Sequence, residues 1–547
     1  MTDEVICFEA NSILTMDSEQ PRATHIATSK GKIVAVGNEA DCRKAGATRF
    51  LDQFKDGFIL PGFVEAHAHA MEGTIWKFVY CGFDTRTNPK GEKVKGAVTL
   101  NEIIARLADK LQASPAGERA NGLAGWGFDA LVLGHDVLSR KDLDKVSSEV
   151  PIGVIHQSLH IVTANSALLR RIDLLRTNIC HPGIPIASDG LPTGELRGPD
   201  LLSLACSFIG LPQELLSCDQ QGLVNFSALC QSKGVTTATD LANPLADSTV
   251  EMMLRQAETP DFGITLISLL RSQGLSGENM VKRAVELRGK STKKMRFGKI
   301  KLVVDGSIQG FTARIRPPGY FNGAPNGLWY IDKKLLLQVL VESVQHGVQV
   351  HIHTNGDEAT QLVVDAIEDV MKHYPNCLHR FVIQHCQMAD ETLLRRMSKL
   401  GISANFFANH LYFWGDQHWE FTLGPERATK MNPCRTATEL GIEFSVHSDA
   451  PVTPLDPLFT AWCAVERTSR SGRVIGPQET LTRRQALRAI TLGAAYTLEM
   501  EGEVGSLQVG KQADLVILDK DPLDHHNELK QIQVIKTLHA SQIQSVL

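Results

Sequence analysis

Short apolar runs recur through the middle of the chain, separated by helix-length stretches. Eight stand out: 63–69 (FVEAHAH), 234–241 (GVTTATDL), 264–270 (ITLISLL), 299–305 (KIKLVVD), 348–354 (VQVHIHT), 381–387 (FVIQHCQ), 402–408 (ISANFFA) and 442–449 (IEFSVHSD). Residues 335–347 and 391–401 carry apolar positions at i, i+3 and i+4, which predicts amphipathic helices. Near-continuous apolar strands alternating with helices predict a parallel sheet covered on both faces. Eight of them predict the α/β class and a closed (β/α)₈ TIM barrel.

The two chain ends read differently. Residues 1 to about 58 alternate like short strands, with Gly31-Lys32 predicting a hairpin turn before IVAVG. Residues 500–547 have the same character, and EVGSLQVGKQADLVILDKDPL predicts strand–turn–strand with Gly505 and Gly510 as turn points. The barrel zone is then 59–499. Within it, about 70–233 is too long for one crossover and predicts an inserted subdomain after the first barrel strand.

Composition narrows the function classes. The 547 residues carry 56 Lys plus Arg against 61 Asp plus Glu, a net charge of −5, which argues against nucleic acid or an anionic membrane as partner. No apolar run reaches membrane-spanning length, and the N-terminus is acidic where a secretory signal is basic. The 11 cysteines form no C-x-x-C pair and read as reduced thiols, so a soluble, cytoplasmic protein acting on a small molecule is expected. No phosphate-binding glycine motif is present, which argues against nucleotide cofactors.

The chemistry concentrates at strand ends. His67 and His69 close the first strand on one face. His353 closes the fifth, with His351 on the same face, His385 the sixth and Asp449 the eighth. One strand histidine is ordinarily a core residue. Four histidines and an aspartate at the carboxyl ends of four strands predict a metal site, suited to Zn²⁺ and less selectively to Mn²⁺, Fe²⁺ or Co²⁺. Lys301 lies inside the apolar fourth strand, a costly place for an amine. Carboxylated by carbon dioxide, it would bridge two ions. Lys299 shares its face and competes for that role, and a lysine snorkelling to the rim is the alternative. Cys386 faces away from His385 and reads as core.

These segments resemble the amidohydrolase superfamily, and more closely its amidohydrolase-3 group of YtcJ-like hydrolases. The resemblance rests on PGFVEAHAH (61–69), KLVVDGSIQGFTA (301–313), HTNGDEA (353–359), QHCQ (384–387), HSDAPVTPLDPL (447–458) and VGSLQVGKQADLVILDKDPL (504–523), in the family's order. It implies a metal-holding barrel with a small β-sandwich built from both chain ends. It implies His67, His69, His353, His385 and Asp449 as ligands, Lys301 as the carboxylated lysine, and Asp449 as the group that takes a proton from the attacking water. Two positions depart from the pattern: Glu65 stands where relatives carry Asp, and His447 where many carry Gly.

His160 and Asn165 resemble a His–Asn–Ser–Ala–Leu segment of relatives and would reach over the pocket. Asn409, His410 and Trp414 follow the seventh strand, Arg314 and Tyr320 follow the fourth, and Trp126 lies in the insertion; each is a candidate substrate contact with a structural role as the alternative. The expected reaction is metal-dependent hydrolysis of a C–N bond in an N-acyl, N-formyl or cyclic amide. Ester, lactone or carbamate hydrolysis and deamination need the same water, and a non-catalytic relative would have lost ligands. The family commonly pairs, which makes a homodimer plausible.

Overall fold

The computed structural model describes residues 4–134, 137–211, 217–271 and 274–540. The eight apolar runs all form strands: β1 (Phe63–Glu65), β2 (Val235–Asn243), β3 (Thr265–Arg271), β4 (Ile300–Val303), β5 (Val350–Thr354), β6 (Val382–His385), β7 (Ser403–Phe406) and β8 (Phe444–Val446). They pair in parallel in that order. A short strand, Met295–Arg296, adds beside β3. The ring closes between its first and last members. Ala68 and Ala450 form a parallel bridge, the Asp449 amide donates to His67 O at 2.9 Å, and the His69 amide donates to Ala450 O at 2.8 Å. The seam is thus made of the residues that carry the candidate chemistry.

Both predicted helices are present and capped. Lys333–His346 starts at Asp332, whose side chain accepts from the Leu335 amide, and ends at Gly347 in the left-handed region. Glu391–Leu400 does the same between Asp390 and Gly401. Side-chain oxygen at the start satisfies orphan amides, and glycine at the end takes the positive φ at no Cβ cost. Leu336, Val339 and Leu340 then bury into the barrel core.

The insertion has its own five-stranded sheet, ordered Glu195–Arg197, Ile161–Ala164, Ile152–His156, Leu123–Phe128 and Val79–Tyr80. It buries separate cores around Trp126, Val162 and Leu196 and around Ile103, Leu107 and Val154. The helix Gln220–Ser232 was expected to lie within the insertion, yet its Leu223, Phe226 and Cys230 pack into the barrel core.

The chain ends meet in one mixed sheet of seven strands: Ile6–Leu14, Arg22–Ser29, Lys32–Gly37, Arg49–Leu51, Phe58–Pro61, Leu515–Leu518 and Val534–Leu538. Among the described residues this is one sheet and not the two of a sandwich. The N-terminal hairpin turns on Lys30 and Gly31, one residue earlier than expected, with φ of 49° and 72°. Gly505 and Gly510 sit in turns, but the C-terminal strand pair is Leu515–Leu518 with Val534–Leu538. Leu515 and Ile517 face the sheet's own core while Val516 and Leu518 enter the barrel core. No described helix is long and apolar enough to cross a membrane.

Because Leu518 is fully buried in the barrel core, Leu518→Ala should cost about 2–5 kcal/mol. A lowered urea midpoint of the barrel's near-ultraviolet signal checks this; an unchanged midpoint would show that the terminal sheet does not support the barrel.

Candidate metal centre

Five strand ends deliver the candidate residues to one buried cluster. Asp449 Oδ1 lies 3.2 Å from His67 Nε2 and 3.2 Å from His69 Nε2. His385 Nδ1 is 3.9 Å from Asp449 Oδ2 and 3.1 Å from His447 Nε2. The His67 ring stacks on His447 at 4.6 Å and lies 4.6 Å from His385, whose other side meets His353 at 4.4 Å. Ligand atoms of His67, His69 and Asp449, and of His67, His385 and His447, lie within 4.8 Å of one another, close enough to hold an ion. His353 stands one ring further out, its Nε2 donating to Gly306 O at 3.1 Å. His385 and Asp449 leave their strands with φ of 67° and 53°, in the left-handed region that side chains seldom adopt. Such strain gathers where backbone aims a functional group.

A ladder of amides and imidazoles beneath the cluster sets which nitrogens carry protons. At one end Gln349 Nε2 donates to Arg380 O and Thr497 O, so its Oε1 accepts from His351 Nε2. His351 Nδ1 then accepts from Gln384 Nε2 at 2.7 Å. Gln384 Oε1 accepts from Asn405 Nδ2 at 2.9 Å and from His67 Nδ1 at 2.6 Å. At the other end Asn405 Nδ2 also donates to Ala66 O, which leaves its Oδ1 to accept from His447 Nδ1 at 2.8 Å. Backbone carbonyls can only accept, so both ends fix the direction of every bond between them. The consequence is that His67 Nε2 and His447 Nε2 are unprotonated, the second accepting from His385 Nδ1 at 3.1 Å. His67 Nε2 faces a carboxylate oxygen at 3.2 Å, an arrangement that only a proton or a cation makes favourable.

Electrostatics point the same way. Burial pushes the His67 imidazolium down to about 4, and holds His353, His385 and His447 well below the ordinary histidine range. Neutral imidazole is the form that ligates metal. Burial opposes the charge of Asp449, while positive charge or N–H donors at His67, His69 and His385 would hold its carboxyl well below the usual range. Lys301 Nζ is buried without a hydrogen-bond partner among the described residues, and burial pushes its ammonium down to about 7. The competing Lys299 is paired with Glu499. His69 Nδ1 is likewise buried and, among the described residues, unpartnered. A buried amine near neutrality and unpaired lone pairs fit a cation site.

Glu65 supports the frame: its carboxylate accepts from Ser448 Oγ at 2.8 Å and from the His67 amide at 3.2 Å, joining β1 to the residue before Asp449. The loop after Asp449 is held from the insertion. Arg86 donates to Pro451 O at 2.5 Å while paired with buried Glu72 at 3.2 Å, and Gln157 donates to Pro451 O at 3.1 Å.

The predicted substrate contacts divide. His160 lies beside the cluster, its half-buried ring 5.2 Å from His353 and stacked on Tyr330 at 5.7 Å. His410 is buried one layer out, 4.6 Å from Phe407, which stacks on His447 at 4.8 Å. Trp414 lies 4.4 Å behind His410 and donates to Asp129 at 2.9 Å. Asn409 donates to Thr453 Oγ1 at 2.8 Å. The others are not at the cluster. Arg314 is locked to Glu358 at 3.0 Å and stacked on Trp329, so its charge is already answered. Tyr320 donates to Ala313 O at 2.9 Å, Trp126 packs inside the insertion's core, and Asn165 caps the helix Ser166–Arg171. Cys386 is buried core, as expected.

The profile of the amidohydrolase family matches residues 55–543. An N-substituted formamide deformylase of Arthrobacter pascens is 26% identical over 559 residues, covering 98% of this chain and 97% of the relative. The amidohydrolase YtcJ of Bacillus subtilis strain 168, itself a putative assignment, is 25% identical over 549 residues, covering 97% of each. An uncharacterized metal-dependent hydrolase of Pyrococcus horikoshii OT3 shares the fold, with a TM-score of 0.70 at 19% identity over 96% of this chain and 99% of its own.

Burial pushes the Asp129 carboxyl up to about 6 from 3.8, against the hydrogen bonds from Trp414 and Leu131 that favour its charge. A raised acid stabilises the fold at low pH and loses that contribution as pH climbs from about 3.8 through about 6. Asp129→Asn should therefore flatten the stability profile across that window relative to wild type. Melting temperatures at half-unit pH steps test it, and parallel profiles would contradict it.

Proposed function

Since the chain belongs to the amidohydrolase family, we propose that it hydrolyses a non-peptide C–N bond, in an N-acyl, N-formyl or cyclic amide. The observation that carries this reading is the unprotonated His67 Nε2 held 3.2 Å from Asp449, together with buried Lys301 Nζ, which has no partner among the described residues. His67, His69, His385 and Asp449 would hold a divalent ion, with His353 and Lys301 beside them and Zn²⁺ the favoured metal. Carboxylated at Nζ, Lys301 would supply the bridging anion for a second ion. A divalent ion bound there lowers the pKa of water from 15.7 to roughly 7 and polarises a carbonyl. Asp449 orients the attacking water and takes its proton at the carboxylate, then returns it to the leaving nitrogen. An amine leaves only once protonated, so one carboxylate serves both halves of the reaction. The relative named as an N-substituted formamide deformylase supports the formamide class as the first to try.

His67→Ala and Asp449→Ala should each lower turnover of an active amide by at least ~10³-fold with circular dichroism unchanged. Full activity after chelation and dialysis would contradict metal dependence. Lys301→Ala should lose metal, measured by elemental analysis, and added short carboxylic acids should restore part of the activity. A Lys301→Ala variant equal to wild type in metal content and rate would remove lysine from the mechanism.

A further inference from the structure

A cavity of about 230 Å³ lies between the insertion and the segments that follow β4 and β7. Its walls are apolar and partly aromatic: Phe128, Leu131 and Ile161 from the insertion, Phe311 after β4, and Phe421 after β7. It is roomier than the ~150 Å³ that admits a benzene ring. None of the candidate metal ligands lines it. On the side of Asp129, which holds Trp414 at 2.9 Å, the buried rings of Trp414, His410, Phe407 and His447 pack in succession at 4.4, 4.6 and 4.8 Å. They wall the cavity off from the cluster.

The charged groups of the wall are already satisfied. Glu195 is paired with Arg197, whose Nε donates at 3.0 Å, and Asp129 accepts from Trp414 and from the Leu131 amide. His156 is bonded to Thr163 Oγ1 at 2.8 Å, and burial keeps it neutral. A charged ligand would give up its hydration here with no unanswered charge to meet it, whereas a neutral ring gains by leaving water. The backbone around the cavity is strained. Phe311 on the wall has a φ of 53°, and Leu159, next to wall residue Ser158, a φ of 59°. Bulky side chains seldom enter that region, and such strain gathers at ligand clamps.

The wall also touches the loop that follows Asp449. His156 and Ser158 line the cavity, while Gln157 between them donates to Pro451 O at 3.1 Å and to Val452 O. Wall residue Leu131 shares one apolar cluster with Val452. The Val452 amide in turn donates to Asp449 O at 2.7 Å. We propose that this cavity binds a second small molecule, distinct from the substrate: a neutral apolar ring the size of benzene or toluene, which fastens the insertion to the barrel and stiffens the Asp449 loop. A ligand seated between two packed bodies restricts the segment that both hold. The site calls for neither a bound metal nor amide turnover, so it goes beyond the hydrolase reading and does not depend on it.

The test titrates toluene into the full chain by calorimetry and follows the peptide containing Val452 by hydrogen-exchange mass spectrometry. Wild type should bind toluene with a Kd of ~1 mM or tighter. Ile161→Phe, which fills the cavity, should weaken binding by at least ~10-fold. Val137 stands on the rim at 55% exposure, so Val137→Trp blocks the entrance without touching the core and should weaken binding as much. Toluene should slow exchange of the Val452 peptide by ~3-fold or more in wild type. Gln157→Leu should bind toluene as wild type does and lose that slowing. No binding to wild type, or equal binding to both cavity variants, would overturn the site. Binding that leaves Val452 exchange unchanged would overturn the coupling to the Asp449 loop. A formamide that the protein hydrolyses should leave toluene affinity unchanged; displacement of toluene by it would make the cavity part of the substrate site and overturn a separate ligand. The binding and exchange measurements need no turnover, so failure of the hydrolase reading leaves them intact.

Discussion

The candidate centre depends on a buried hydrogen-bond ladder that runs from Gln349 through His351, Gln384 and Asn405 to His67 and His447. A barrel interior is an expensive place for amides and imidazoles unless each finds a partner. Here they satisfy one another, and carbonyls at both ends leave one consistent assignment of protons. That assignment turns outward the nitrogens a cation needs. Outer partners of this kind set tautomer and ring orientation for metal-ligating histidines generally. The ladder is therefore both the polar core of the barrel and the constraint that fixes the protons of His67 and His447 in the cluster above it.

Closure of the barrel and assembly of the cluster are the same event. β1 and β8 meet through backbone bonds of His67, His69 and Asp449, reinforced by Glu65 bridging to Ser448. The insertion adds a second restraint, since Arg86 and Gln157 grip the loop that follows Asp449. Substitutions at Glu72 or Arg86 thus act on the placement of the aspartate through the Pro451 loop.

The eight strands and the strand-end histidines were legible because parallel barrel strands are apolar on both faces and polar residues at their ends stand out. Lys301 stands out in sequence as an amine inside an apolar strand and is preferred to Lys299 for lying nearer the carboxyl end; in the structure Lys299 is paired with Glu499. The ladder was not legible: Gln384 and Asn405 sit next to more conspicuous residues, and their partners lie on other strands. His447 was ambiguous because parity alone does not tell a lone-pair donor from a packed ring. For Arg314 the sequence left substrate contact and a structural role both open, because its partner Glu358 comes from a helix 44 residues on. The hairpin turn was displaced by one residue because Lys30 itself accepts positive φ.

The most direct test is anomalous diffraction at the zinc absorption edge from crystals of the zinc-loaded protein. The account predicts peaks enclosed by His67, His69, Lys301, His385 and Asp449. Zinc peaks confined to the surface, with the ladder and cluster unaltered, would contradict it.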